Sequence, residues 1–184
     1  MRIGKILIIG TAAVAAVGLA AAPAVAAPSD TTTVTFDIEA GTLDIDAPAA
    51  ADLGGGAPGT DIVGQLGPVT VTDSRASADA SWTATVVATN FTTGGGSPPE
   101  LILATEIEYW SGPATATTGT GTFTPGQVDA AAAAPLDNVT PLTAFTHTGG
   151  TGNNTATWNP TLIVHAPLDS QAGTYTGTVT HSVA

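Results

Sequence analysis

The sequence predicts an all-β fold, a two-sheet antiparallel β-sandwich of about eight or nine short strands. Three observations predict it: apolar residues recur at period two, Thr and Val dominate the runs, and Gly, Pro and Asn clusters separate them. Period two turns alternate side chains to opposite faces, so one face can be buried while the other stays wet. Thr and Val are β-branched and suit a pleated surface better than a helix.

Taken in order, Val34, Phe36 and Ile38 alternate with Thr33, Thr35, Asp37 and Glu39, and Leu43 and Ile45 alternate with Thr42, Asp44 and Asp46. The Ala40-Gly41 step between them reads as the turn of a hairpin. Val69 and Val71 alternate with Thr70 and Thr72, and Trp82, Ala84, Val86 and Ala88 share the next apolar face. In the run from 101 to 110, Leu101, Leu103, Ile107 and Tyr109 share a face opposite Glu106 and Glu108. Phe123 and Phe145 mark Thr-rich strands, Trp158, Leu162 and Val164 another, and Tyr175, Val179, His181 and Val183 the last. Pro160 cannot donate to a ladder and is expected at an edge or a bulge. Val128 to Ala134 is the helix-prone stretch after the N-terminus, and it is too short for more than about one turn.

The first residues read as a secretory signal over 1–26. Arg2 and Lys5 form a basic head, residues 6–22 an apolar run, and Ala24-Val25-Ala26 follow the helix-breaking Pro23 as a cleavage site. The run is almost long enough to span a bilayer, so an uncleaved anchor is the alternative. Residues 27–184 are expected to form one sandwich domain with no membrane contact after cleavage. With no Cys in the chain, packing and strand ladders must supply the stability that small secreted domains often take from cross-links.

Charge excludes several partners. Beyond the signal, Arg75 is the one basic side chain other than His, against fifteen Asp and Glu. Such a surface repels phosphate backbones and anionic headgroups, so nucleic acid is not expected as a partner. The sequence offers no Cys nucleophile, no Gly-x-Ser-x-Gly turn and no phosphate-cradling Gly loop ahead of a helix. No enzymatic activity and no cofactor are expected. His147, His165 and His181 show no metal-ligand spacing. Asp37, Glu39, Asp44 and Asp46 would gather on the solvent face of the expected hairpin, where like charges need a neutralising ion such as calcium. Trp82 and Trp158 are expected in the core, with Trp110 the more exposed indole.

Two segments carry a resemblance. Val69-Thr70-Val71-Thr72-Asp73-Ser74-Arg75, leading into Ser81-Trp82-Thr83-Ala84-Thr85-Val86, resembles the first signature of the WxL domain, a short strand and an Asp-x-Arg turn followed by Trp-x-Leu. The stretch from Gly173 through Tyr175 and His181 to Val183 resembles the second, Tyr-x-x-x-Leu-Thr-Trp-x-Leu. Ala84 stands in place of the first Leu, and His181 and Val183 in place of the second Trp and Leu. The resemblance implies an immunoglobulin-like sandwich on the bacterial cell surface, held non-covalently to peptidoglycan or another wall polymer. It makes Trp82, Tyr175 and His181 the wall-binding residues. The alternative is a structural or adhesive surface module whose acidic face binds calcium or a cationic partner.

Overall fold

The computed structural model describes residues 28–184; the expected signal segment lies outside the described residues. The chain divides into two compact units at Asp37/Ile38. Of the first unit, residues 28–37 are described; they form no strand, and Val34 and Phe36 are exposed.

The second unit is all-β, and no α-helix occurs among the described residues. Its strands are β1 (Leu43–Asp46), β2 (Asp61–Gln65), β3 (Val69–Asp73), β4 (Trp82–Ala88), β5 (Phe91–Thr92), β6 (Leu101–Ile102), β7 (Ile107–Trp110), β8 (Ala114–Thr118), β9 (Thr122–Pro125), β10 (Ala134–Pro135), β11 (Leu142–Thr148), β12 (Asn154–Trp158), β13 (Thr161–His165) and β14 (Val179–Val183). They assemble into sheets ordered β1-β3-β12-β8, β10-β7-β13-β2 and β14-β4-β11-β9, with β5 and β6 paired apart. Every strand pairing is antiparallel.

The three larger sheets share one core. Val69, Val71, Ala156 and Trp158 enter it from the first, Ile107, Tyr109, Leu162 and Val164 from the second, and Trp82, Ala84, Val86 and Phe145 from the third. Burying a side chain such as Leu, Val or Phe stabilises by about 1.5–3 kcal/mol, so this cluster dominates the energetics. A bulge in β11 between Thr143 and Phe145 turns both Ala144 and Phe145 inward. Gly126 sits against that bulge so closely that a Cβ would lie 2.0 Å from the Thr143 carbonyl oxygen, which requires Gly there.

Four sequence expectations change. No strand forms over Val34–Ile38, so the hairpin expected with Leu43–Ile45 is absent; β1 takes β3 as its partner instead, opposing Ile45 to Val71. The bonds Gly41 N–H to Ser74 O and Ser74 N–H to Thr42 O extend that ladder up to the point where the hairpin turn was expected. The run from 101 to 110 is broken by a 3-10 turn at Ala104–Glu106. Asn90 Oδ1 accepts from Ala104 N–H at 2.9 Å and pins this turn, so Ile102 and Ala104 are buried and Leu103 is exposed. Pro160 lies at neither an edge nor a bulge: with Asn159 it is the corner where the chain leaves β12 for β13, both of them inner strands. Finally, Tyr175 precedes β14 rather than sharing its face, joined to Phe91–Thr92 by a bridge between Thr92 and Thr176. The helix-prone stretch gives one 3-10 turn at Ala130–Ala132, capped by the Asp129 carboxylate.

Candidate functional site

The two segments that carry the resemblance lie side by side. β4 and β14 are hydrogen-bonded neighbours, with Val86 opposite His181 and Ala84 opposite Val183. What each segment does with its polar and aromatic groups differs.

At the start of β4 the Trp82 indole is almost fully buried, 3% exposed. Its Nε1–H donates to Asn154 Oδ1 at 2.8 Å, and Asn154 Nδ2 donates to Asp73 Oδ2 at 3.2 Å. Asp73 in turn receives Arg75 through Nε on Oδ1 at 2.9 Å and Nη2 on Oδ2 at 2.8 Å, the two-pronged geometry that a guanidinium fork fits. Arg75 also donates to the Ser81 carbonyl at 2.9 Å. Its guanidinium holds the Asp73 carboxyl below the usual carboxylate range, outweighing the opposing effect of burial. Asp-x-Arg and Trp82 therefore form one lock that ties the end of β3 to the beginnings of β4 and β12. Within it Ala76 adopts φ 52°, costly for a residue with a Cβ, and its N–H meets Asn153 Oδ1 at 3.2 Å.

His147 backs the same indole. It is fully buried, its ring 5.7 Å from that of Trp82 and stacked on Phe123 at 4.4 Å. Nδ1 lies 2.8 Å from the Ala80 carbonyl oxygen and Nε2 2.9 Å from that of Thr120. Both partners are backbone carbonyls, so the buried ring bridges the chain between Ala80 and Thr120.

From Trp82 a row of rings crosses the core. Trp82 lies 6.4 Å from Phe145, Phe145 stacks on Trp158 at 4.9 Å, and Trp158 meets His181 edge-on at 6.5 Å. Ala84, which stands where the resembling signature has Leu, is fully buried and lies opposite Phe145.

At the far end, Trp158 Nε1 donates to Tyr109 Oη at 3.1 Å, and that hydroxyl lies 3.2 Å from His181 Nε2. The hydroxyl accepts from the indole and shares a hydrogen bond with Nε2 whose direction follows the imidazole tautomer. Burial pushes His181 down to about 4 and Tyr109 up, so both are neutral near pH 7. His181 lines a groove of about 180 Å³ with Leu66, Val69, Phe91, Leu162 and Val179. Residues 47–51 form its lip.

No family model and no curated protein matches the chain.

Trp82 and His181 are thus brought together through the interior, along the ring row, rather than on an open patch. Tyr175 is outside that row: its hydroxyl lies 3.0 Å from both the Pro99 and Gln171 carbonyl oxygens and ties a turn to the β5–β6 region. Trp110 is half-buried on β7. Asp44 and Asp46 sit on the exposed face of β1 opposite Thr72 and Thr70, and Asp37 and Glu39 belong to no strand. Among the described residues no three His, Cys, Asp or Glu side chains cluster so as to hold a metal ion. Glu106 ends the 3-10 turn, whereas Glu108 lies 3.5 Å from His165 Nε2. Asp61 approaches the Nδ1 of the same ring at 2.8 Å and, as the largest cause, raises its pKa. Sequence reasoning missed Asn154 and the Asp61–His165–Glu108 triad. Both depend on strands distant in the chain becoming neighbours.

Proposed function

We propose that this chain is a non-catalytic, exported surface domain that associates non-covalently with peptidoglycan or another bacterial wall polymer. In this reading it is a WxL-like, immunoglobulin-like sandwich in which the first motif builds the scaffold and the second presents the contact surface. One observation carries the reading: the two motif segments are paired strands joined by a ring row, and that row ends at His181 on the wall of an apolar groove. A half-buried imidazole beside Phe91, Leu162 and Val179, its Nδ1 without a hydrogen-bond partner among the described residues, offers one polar anchor within an apolar surface, the usual composition of a small recognition site. Trp82 and Asp73 support the geometry from behind, with their polar atoms already matched.

Co-sedimentation of the purified protein with peptidoglycan sacculi tests the reading. The protein should pellet near neutral pH, and Ala49→Trp on the exposed lip of the groove should leave it in the supernatant at unchanged melting temperature. Because fifteen carboxylates face a single Arg beyond the signal, an anionic polymer should bind better as salt rises. A protein that stays in solution at every pH and ionic strength would refute the proposal. The calcium alternative gains no specific support, since the hairpin that would have gathered its four carboxylates is absent.

A further inference from the structure

We propose that residues 31–39 of one copy add as an extra strand to the outer edge of β2 in a second copy, so that the domain assembles head to tail. The donor half is the segment Thr31-Thr32-Thr33-Val34-Thr35-Phe36-Asp37-Ile38-Glu39. It has the strictest alternation in the chain and four Thr among its first five residues, a composition suited to a strand. Yet it pairs with no strand among the described residues, and Val34, Phe36 and Ile38 are 79%, 82% and 80% exposed. Isolated exposed apolar residues are ordinary; three large ones on a single face of one unpaired segment are a surface awaiting a partner.

The acceptor half is β2. It is the outer strand of its sheet, bonded on one side to β13. Leu66 N–H donates to the Pro160 carbonyl, and alternation then turns the bonding groups of Gly64 and Ile62 toward β13 as well. The N–H and C=O groups of Asp61, Val63 and Gln65 point outward, a template for one more strand. On the inner side of that edge Ile62, Leu66 and Leu53 are only partly buried against the core. An added strand would lay Val34, Phe36 and Ile38 over them and keep Thr33, Thr35 and Asp37 in solvent. Among the described residues both halves go unpaired in a single copy, so a second copy would satisfy each, and the contact is of the heterologous kind that propagates. Like-charged copies repel, so assembly should strengthen as salt screens them.

Sedimentation velocity of the purified protein over a concentration and salt series tests this without any wall polymer, so its outcome is independent of the binding proposal. Dimers and larger species should appear, more of them at high salt. Phe36→Asp, at a position outside the core, should make the protein monomeric while leaving its circular dichroism and melting temperature unchanged. Val63→Pro removes an outward N–H and should do the same. Mixing the two variants should restore a dimer and nothing larger, since one keeps the acceptor edge and the other the donor segment. Should Val63→Pro fail to fold, a labelled peptide of residues 31–39 replaces it and should bind the Phe36→Asp protein saturably. A wild-type protein that is monomeric throughout, assembly that survives Phe36→Asp, or a peptide that does not bind would each overturn the proposal.

Discussion

The two ends of the ring row are made of similar parts and finished differently. At the Trp82 end every polar group is matched: indole to Asn154, Asn154 to Asp73, Asp73 to Arg75, and Arg75 back to the chain at Ser81. At the His181 end the relay from Trp158 through Tyr109 stops at an imidazole whose second nitrogen has no hydrogen-bond partner among the described residues. A closed network rigidifies and contributes to stability, whereas one that ends at a groove leaves a group for something else to use. In that comparison Trp82, the residue most diagnostic of the resemblance, is buried with its one N–H already bonded to Asn154.

The largest effect should come from cutting the closed end. Trp82→Ala removes a fully packed indole and strands Asn154, and should cost about 3–5 kcal/mol in a denaturant titration. A loss below about 1 kcal/mol would mean that the indole is not part of the core. Arg75→Ala comes next. It leaves the Asp73 carboxylate, whose side chain is 0% exposed, without its counter-charge, a situation that costs on the order of 3 kcal/mol. Asp73 is held below its ordinary pKa, so the stability that it contributes is present above about pH 3.9 and lost as pH falls through its folded value. In Arg75→Ala this acid-side dependence should shrink or reverse, and a plot of melting temperature against pH should display it.

The open end should respond to pH where the closed end does not. His181 is pushed down to about 4 by burial, so the unfolded chain takes up a proton near 6.5 while the folded one does not. Wild-type stability should therefore fall as pH drops from about 6.5 to about 4, by at most about 3 kcal/mol. His181→Leu should flatten that window and leave the acid limb below pH 4 in place. If the two proteins follow parallel curves between pH 4 and 6.5, the imidazole is solvated and the groove reading fails with it.

How much of this was legible in the sequence depends on whether a partner is named locally. Period two places β3 and β4 correctly, because Val69, Val71 and the Trp82–Ala88 face bury their apolar sides. The same signal fails at Val34–Ile38, because alternation reports that a segment can be a strand and says nothing about which edge will receive it. Pro160 marks a break, and the sequence does not say that the chain changes sheet there. Asp-x-Arg is legible as a turn motif. Its third member, Asn154, lies in a Gly-Asn-Asn-Thr stretch that reads as an ordinary loop, and its role exists only once β12 lies beside β3. The ring row is hidden for the same reason: Trp82, Phe145, Trp158 and His181 come from four strands whose order in the sheets no local pattern states.

His165 gives the smallest effect and the one of opposite sign. Its ring joins three strands, contacting Asp61 on β2 at 2.8 Å and Glu108 on β7 at 3.5 Å from its own place on β13. The Asp61 hydrogen bond raises its pKa above 6.5, so its contribution is fully present below about pH 6.5 and fades as pH rises through the folded value. The ring is 39% exposed, so screening by solvent limits the pair to under about 1 kcal/mol. His165→Gln should thus cost a few tenths of a kcal/mol at pH 6 and almost nothing at pH 9, and the difference should vanish in molar salt. His181 lowers stability on the acid side of 6.5 and His165 on the alkaline side, so the wild-type optimum should lie close to that value. The double variant His181→Leu/His165→Gln should lose the optimum and show a nearly flat melting temperature between about pH 5 and 8; a maximum that persists there would show that these two imidazoles do not set it.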